Sequence, residues 1–125
     1  MGVQEDGIIG EQKLFIFLKN RGHKFFQPDA ISRCKKRYFI WEVKYQERFI
    51  PPPFEGHGLP KWQIDARIEF YMTTGIRCMF IVFEKGTENV FLQWLDILEE
   101  NKYFDTQGRH PRRIYKLQNF KKTKL

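Results

Sequence analysis

The sequence predicts an α/β sandwich built on a mixed β-sheet, a three-layer-like arrangement with helices flanking the strands. Three observations carry this. Periodicities alternate along the 125 residues in the order helix, strands, helix, strand, helix, strand, the order that layers helices on a sheet. Two runs, Tyr38-Phe39-Ile40-Trp41 and the stretch IRCMFIVFE from Ile76 to Glu84, are too continuously apolar for a strand with one wet face, so both belong inside a sheet covered on both sides. Gly and Pro punctuate the boundaries. The length and a 42% hydrophobic, 17% aromatic composition with thirteen Phe support one hydrophobic core. Residues 1–125 are therefore expected to form one domain, with its core about 5–85 and a C-terminal helix, strand and basic tail about 86–125.

Each element follows from local pattern. Ile8, Phe15 and Leu18 recur at helical spacing over 5–20, and Gly22 stops that helix. Glu11 falls between Phe15 and Leu18 on a helical wheel, so its carboxylate is expected to face the core and to need a partner there. Short strands follow at 24–27, 29–34 and 38–46, the last two joined by a Lys35-Lys36-Arg37 turn. The segment 48–60, with three consecutive prolines, two glycines and His57, is expected to be a long exposed loop. A second helix spans 59–74, entered near Pro60 and ended by Gly75. The strand 76–84 comes next. Phe91, Leu92, Leu95 and Leu98 make an apolar stripe for a third helix over 89–101, and 112–117 suits a last strand before the basic tail. Trp41 and Trp62 are assigned to the core, Trp94 to the packing face of the third helix, and His23, His57 and His110 to loops.

The formal charge is +7, and residues 109–125 hold seven Lys or Arg and no carboxylate. Such an excess favours polyanions, and nucleic acid over an acidic membrane, because no run of about 18 apolar residues occurs. The tail and the GRHPRR cluster, with Arg112, Arg113, Lys121 and Lys122, are either a solvated basic end or an arm that touches phosphates. Cys34 and Cys78 lack metal-ligand spacing and are assigned as reduced thiols, which, with no signal-peptide pattern at the N-terminus, places the chain in the cytoplasm.

Charge also stands where a strand should be apolar. Glu42 and Lys44 alternate with Val43, so they emerge on one face, about 7 Å apart. A hairpin through Lys35, Lys36 and Arg37 could set Asp29 beside Glu42. Two adjacent carboxylates repel unless a hard cation lies between them. Magnesium held by oxygen ligands would resolve that repulsion, with Lys44 placed to orient water or to steady charge on a phosphate.

Pro28-Asp29, thirteen positions before Glu42-Val43-Lys44 at the end of an apolar strand, resembles the PD-(D/E)xK nuclease superfamily, which includes restriction enzymes, repair nucleases and archaeal Holliday-junction resolvases. As in those resolvases, a glutamate, Glu11, lies on the first helix, and a glutamine, Gln63 in KWQIDARIEF, lies on the helix after the catalytic strand. The likeness covers about 5–85. It implies the restriction-endonuclease fold and Mg²⁺-dependent (Mn²⁺ may substitute) cleavage of DNA, with Asp29 and Glu42 as metal ligands and the Val43 carbonyl as a third. By the same resemblance Lys44 acts on the attacking water, Glu11 supports the metal through water, and Gln63 helps to hold the active-site strand. From the residues alone, Glu11 fits a structural salt bridge as well as it fits metal support. Gln63 and Arg67 share one face of the second helix, and Lys35, Lys36 and Arg37 are placed to touch a substrate backbone. The expected activity is a DNA endonuclease working as a homodimer in recombination or repair, on branched DNA or on a specific sequence. RNA as the substrate, and a non-catalytic nucleic-acid-binding module of the same fold, stay open.

Overall fold

The computed structural model describes residues 3–26 and 31–124. Helix α1 (Val3–Lys19) leads to β1 (Lys24–Phe26), β2 (Ile31–Cys34) and β3 (Arg37–Gln46). Strand β4 (Gly56–Pro60) runs straight into α2 (Lys61–Thr74). Then come β5 (Cys78–Glu84), β6 (Asn89–Trp94), α3 (Leu95–Glu99), β7 (Tyr103–Asp105), β8 (Arg112–Lys116), a 3-10 turn (Leu117–Asn119) and β9 (Lys121–Lys124). Among the described residues the strands form a six-stranded sheet, β1-β2-β3-β5-β6-β9, and a three-stranded one, β4-β8-β7. Strands β3 and β5 pair in parallel and the other pairs are antiparallel, so the large sheet is mixed. Parallel neighbours need a crossover, and the segment through β4 and α2 supplies it.

The two apolar runs sit at the centre with both faces covered at Ile40 and Trp41 and along β5, whereas Tyr38 and Ile76, at the starts of the runs, are 59% and 38% exposed. On one face Trp41, Ile81, Phe83 and Val90 pack with Leu14, Phe17 and Leu18 of α1. On the other, Phe80, Val82 and Phe91 pack with Ile64 of α2, Leu95 and Leu98 of α3, and Leu59 and Tyr115 of the small sheet. The predicted mixed-sheet sandwich is thus observed, and its second outer layer is part helix and part sheet.

Several local expectations need correction. The buried stripe of α1 is Gly10, Leu14, Phe17 and Leu18; Ile8 and Phe15 are exposed. Glu11 is exposed too, so its carboxylate is solvated rather than turned to the core. The stretch expected to be a third helix divides into β6 and a five-residue α3. Val90, Phe91 and Leu92 alternate between the two cores, and three consecutive apolar residues hide a period of two. The long loop ends in β4, where His57 is fully buried instead of exposed. Trp62, assigned to the core, is 68% exposed. Trp94 closes β6 and stacks on Phe39 at 5.9 Å. The basic tail forms β9, an edge strand paired with β6. Both cysteines are free, as expected, and burial pushes the Cys78 thiol up to about 12.

Strand β4 owes its position to glycine. A Cβ at Gly58 would lie 1.9 Å from the Arg113 carbonyl oxygen, and one at Gly56 2.1 Å from that of Tyr115. Backbone on backbone leaves no flexible atom to yield. Gly58→Ala is therefore expected to destabilise the protein by about 3 kcal/mol, the upper end for overpacking, as a fall in the urea midpoint. At the β2–β3 turn Lys35 and Lys36 both hold positive φ, 50° and 66°, the two-residue pattern that favours Asn-Gly. Lys36→Gly should raise stability by about 1 kcal/mol in the same assay by relieving that strain.

Candidate active site

Strand β3 presents a polar row, Glu42, Lys44 and Gln46, on the face turned to α2 and the small sheet. The parallel register sets them beside Phe80, Val82 and Glu84 of β5. Beyond Ile40 the outer edge of β3 has no strand partner among the described residues.

Glu42 is half-buried, and its Oε1 accepts a 2.6 Å bond from Arg67 Nε. Arg67 and Gln63 share one side of α2, one turn apart. The Gln63 Oε1 is buried with no hydrogen-bond partner among the described residues, and such an acceptor is costly unless something outside the chain satisfies it. Lys44 makes no ion pair among the described residues. Burial pushes its ammonium below the ordinary lysine range; Glu42 opposes that shift and Arg112 reinforces it.

The row continues into a buried network. Glu84, 4% exposed, accepts from Arg48 Nε at 3.0 Å and Nη2 at 3.1 Å, from His57 Nε2 at 2.6 Å and from Asn89 at 3.3 Å. Burial alone would raise the Glu84 carboxyl, but these donors outweigh it and hold the carboxyl below the usual range. Burial keeps His57 below its ordinary value, ahead of the opposing pull of Glu84, so the ring is neutral at pH 7. A neutral ring that donates from Nε2 accepts at Nδ1, where Gln46 Nε2 lies at 3.2 Å. Gln46 Oε1 then faces Arg112 Nη2 at 3.1 Å.

Beside this network, at the open edge of β3, lies a cavity of about 530 Å³ bordered by Lys44, Gln46, Arg48, Gly58, Arg112 and Asp6, among others. Asp6 Oδ2 is held by Lys85 at 2.6 Å, and its Oδ1 is buried without a partner among the described residues.

The structure thus brings together Glu42, Lys44, Gln63 and Arg67 and adds Gln46, His57, Glu84 and Arg112. Asp29 lies outside the described residues. It stands two positions before Ile31, whose partner in register is Ile40, two positions before Glu42. Glu11 is on α1, the layer across the sheet from the polar row. Lys35, Lys36 and Arg37 are exposed at the hairpin tip, and Lys121 and Lys122 are exposed on β9. Arg113 departs from its place in a basic arm. It is buried, clamped by Asp105 at 2.7 Å and by Glu99 at 2.8 Å, and Tyr115 OH donates to the same Glu99.

A hard divalent cation takes oxygen donors. The Glu42 carboxylate and the orphaned Gln63 amide oxygen are of that type. Among the described residues no group of three or more His, Cys, Asp or Glu assembles, and Glu42 is held by Arg67. The donor types present fit magnesium.

No model of a known protein family matches the chain, and no curated protein matches it by sequence. Among solved structures, the fold matches that of a Holliday junction resolvase, Hjc, from the archaeal hyperthermophile Archaeoglobus fulgidus. The TM-score is 0.52 at 9% identity, over 87% of this chain and 83% of that one. The chain therefore shares a nuclease-like fold, a mixed sheet flanked by helices.

The network gives stability a pH dependence. The unfolded chain binds a proton at His57 near pH 6.5, the folded chain only at lower pH, so folding stability falls as pH drops below about 6.5, by up to about 1.4 kcal/mol per pH unit. His23, also lowered by burial, acts in the same direction. Thermal melts between pH 7 and 5 should show a steeper fall for the wild type than for His57→Gln, which lacks the share of His57.

Proposed function

We propose that the protein is a metal-dependent DNA endonuclease of the PD-(D/E)xK kind, hydrolysing phosphodiester bonds in branched DNA during recombination or repair, and acting as a homodimer. The single observation that carries this reading is the row of Glu42 and Lys44 on the central strand, joined through Arg67 to the helix that carries the orphaned Gln63 oxygen, in a fold shared with a Holliday junction resolvase.

Glu42, with Asp29 and the Val43 carbonyl, would hold Mg²⁺, for which Mn²⁺ may substitute. When bound, the ion supplies charge neutralisation at the phosphate and a more acidic water. The chain's own groups do the rest. Lys44 orients the attacking water and steadies the charge that develops on the phosphoryl oxygens, from a position where burial strengthens its field. Water adds to phosphorus, one P–O ester bond breaks, and the leaving oxygen takes a proton. Gln63 would accept a hydrogen bond from the attacking water or serve as an oxygen ligand to the metal. Arg67, now on Glu42, would contact the DNA backbone once Glu42 served as a metal ligand. Lys35, Lys36 and Arg37 at the hairpin tip, and Lys121 and Lys122 on the sheet edge, contact phosphates flanking the cut. Arg112 is the remaining phosphate contact. A homodimer sets two sites about a twofold axis, which suits paired cuts in a symmetric junction.

One observation favours a second reading, a non-catalytic nucleic-acid-binding module: the 2.6 Å Arg67–Glu42 pair already compensates the carboxylate that catalysis would give to a metal. Cleavage of labelled linear duplex, flapped DNA and a four-way junction separates the two. With Mg²⁺ the wild type should cut, the junction best, and EDTA should abolish cutting. Lys44→Ala should lose at least about a hundredfold in rate, the scale of one preorganised electrostatic group, while still binding junction DNA. Binding without cutting under Mg²⁺ and Mn²⁺ alike would establish the second reading. A sequence-specific duplex cut in preference to the junction would establish the endonuclease and overturn its junction preference.

A further inference from the structure

Lys44 and Arg112 border one cavity, and neither makes an ion pair with a carboxylate among the described residues. They come from different sheets, β3 and β8. The other charged groups around that cavity are compensated or at its rim: Asp6 by Lys85, Arg48 by Glu84 and Glu55, while Glu47 is exposed. Two partly buried cations that line one cavity are costly to hold in one place without an anion.

The placement of Arg112 is also built. Its Nη2 donates to Gln46 Oε1 at 3.1 Å and to the Gly58 carbonyl at 2.9 Å. The Gln46 amide is fixed in turn, its Nε2 donating to Gly58 O at 3.1 Å and facing His57 Nδ1. Glu84 determines which ring nitrogen of His57 carries the proton, and hence which end of the Gln46 amide meets the arginine. With Nη2 occupied by neutral acceptors, the remaining donors of the guanidinium fork can serve a ligand.

We propose that Arg112 and Lys44 form a phosphate-binding subsite in this cavity, and that the chain Glu84–His57–Gln46 positions Arg112 for it. The proposal rests on the phosphodiester reading above and adds to it the group that grips the DNA backbone beside the reacting phosphate. Arg112 comes from the C-terminal hairpin, outside the stretch that carries the sequence resemblance. Gln46 is a positioning residue.

The probe is inorganic pyrophosphate, titrated calorimetrically into the full-length protein in EDTA, with a melting curve for each variant. Arg112→Gln should weaken pyrophosphate binding about tenfold or more, the scale of a charge-assisted hydrogen bond, while Lys102→Gln, far from the cavity lining, should leave it unchanged. Gln46→Leu should also weaken binding, and the double variant should bind no more weakly than Arg112→Gln alone, because Gln46 acts only through the arginine. For duplex DNA, log affinity against log salt should become shallower by about 0.9 in Arg112→Gln, one phosphate contact. Should Arg112→Gln fail to fold, Arg112→Lys, which keeps the charge without the fork, should show the loss in the same titration. Wild-type pyrophosphate affinity in a folded Arg112 variant overturns the subsite, and additive losses in the double variant overturn the positioning role of Gln46. Because the titration uses no metal, either result leaves the nuclease reading standing. Arg112-dependent binding in a protein that cuts nothing would retain the subsite and sink the nuclease.

Discussion

The buried carboxylate of Glu84 sets the terms for the functional face. It closes β5, the most fully buried strand, where an ionised group could not persist without donors. The donors come from elsewhere in the chain: Arg48 from the segment after β3, Asn89 from β6, and His57 from the small sheet. Satisfying Glu84 therefore fastens the small sheet to the large one. It also fixes the His57 tautomer, the Gln46 amide and the aim of Arg112. Removing His57 alone would leave a buried charge short of a donor, a larger loss than one neutral hydrogen bond.

The rest of the fold follows from the close pairing of β3 with β5 and of β4 with β8. Parallel pairing of the two apolar strands requires the crossover, and the crossover delivers α2 with Gln63 and Arg67 to the face where Glu42 and Lys44 emerge. The two glycines of β4 let β8 approach until Arg112 reaches the same cavity as Lys44. The cavity is thus shared between the large sheet and a C-terminal hairpin that belongs to a separate layer.

Much of this was legible in the sequence where a single period dominated. The apolar runs 38–41 and 76–84 identified the central strands because Ile40, Trp41 and the body of β5 are buried on both faces, which leaves no polar alternation to misread. Glu42 and Lys44 were found by their types and spacing and Gln63 by the family resemblance, and the structure places the first two on the face of β3 that is turned to the helix of the third. The polar row even extends to Gln46, a signal of period two that stopped being followed at Lys44. Other parts were not legible. Val90, Phe91 and Leu92 fit a helix as well as a strand until β5 and β9 claim their backbone groups. The stripe on α1 was misplaced because Gly10, which packs against Val43 and Tyr45, has no hydrophobicity to mark it, and Glu11 was turned inward with it. His57 lay among prolines and glycines whose composition announces a loop, and its partner Glu84 is 27 positions away. Arg113 carries the same letter as Arg112; only the carboxylates of Glu99 and Asp105, delivered by tertiary structure, make one a clamp and the other a free fork.

The two bare positions of β4 have a bearing on how kin of this protein could be found. At 9% identity to a structure of the same fold, overall similarity carries almost no signal. The triplet Gly56-His57-Gly58, however, combines two sites that no side chain can enter with a ring committed to a distant acid. A search pattern of that triplet, preceded by Glu-x-Lys at the end of an apolar strand and followed by a lone Glu closing the next one, rests on sterics and charge alone. It would discriminate between chains that share only the sheet and chains that also bring a second arginine-bearing hairpin onto its functional face.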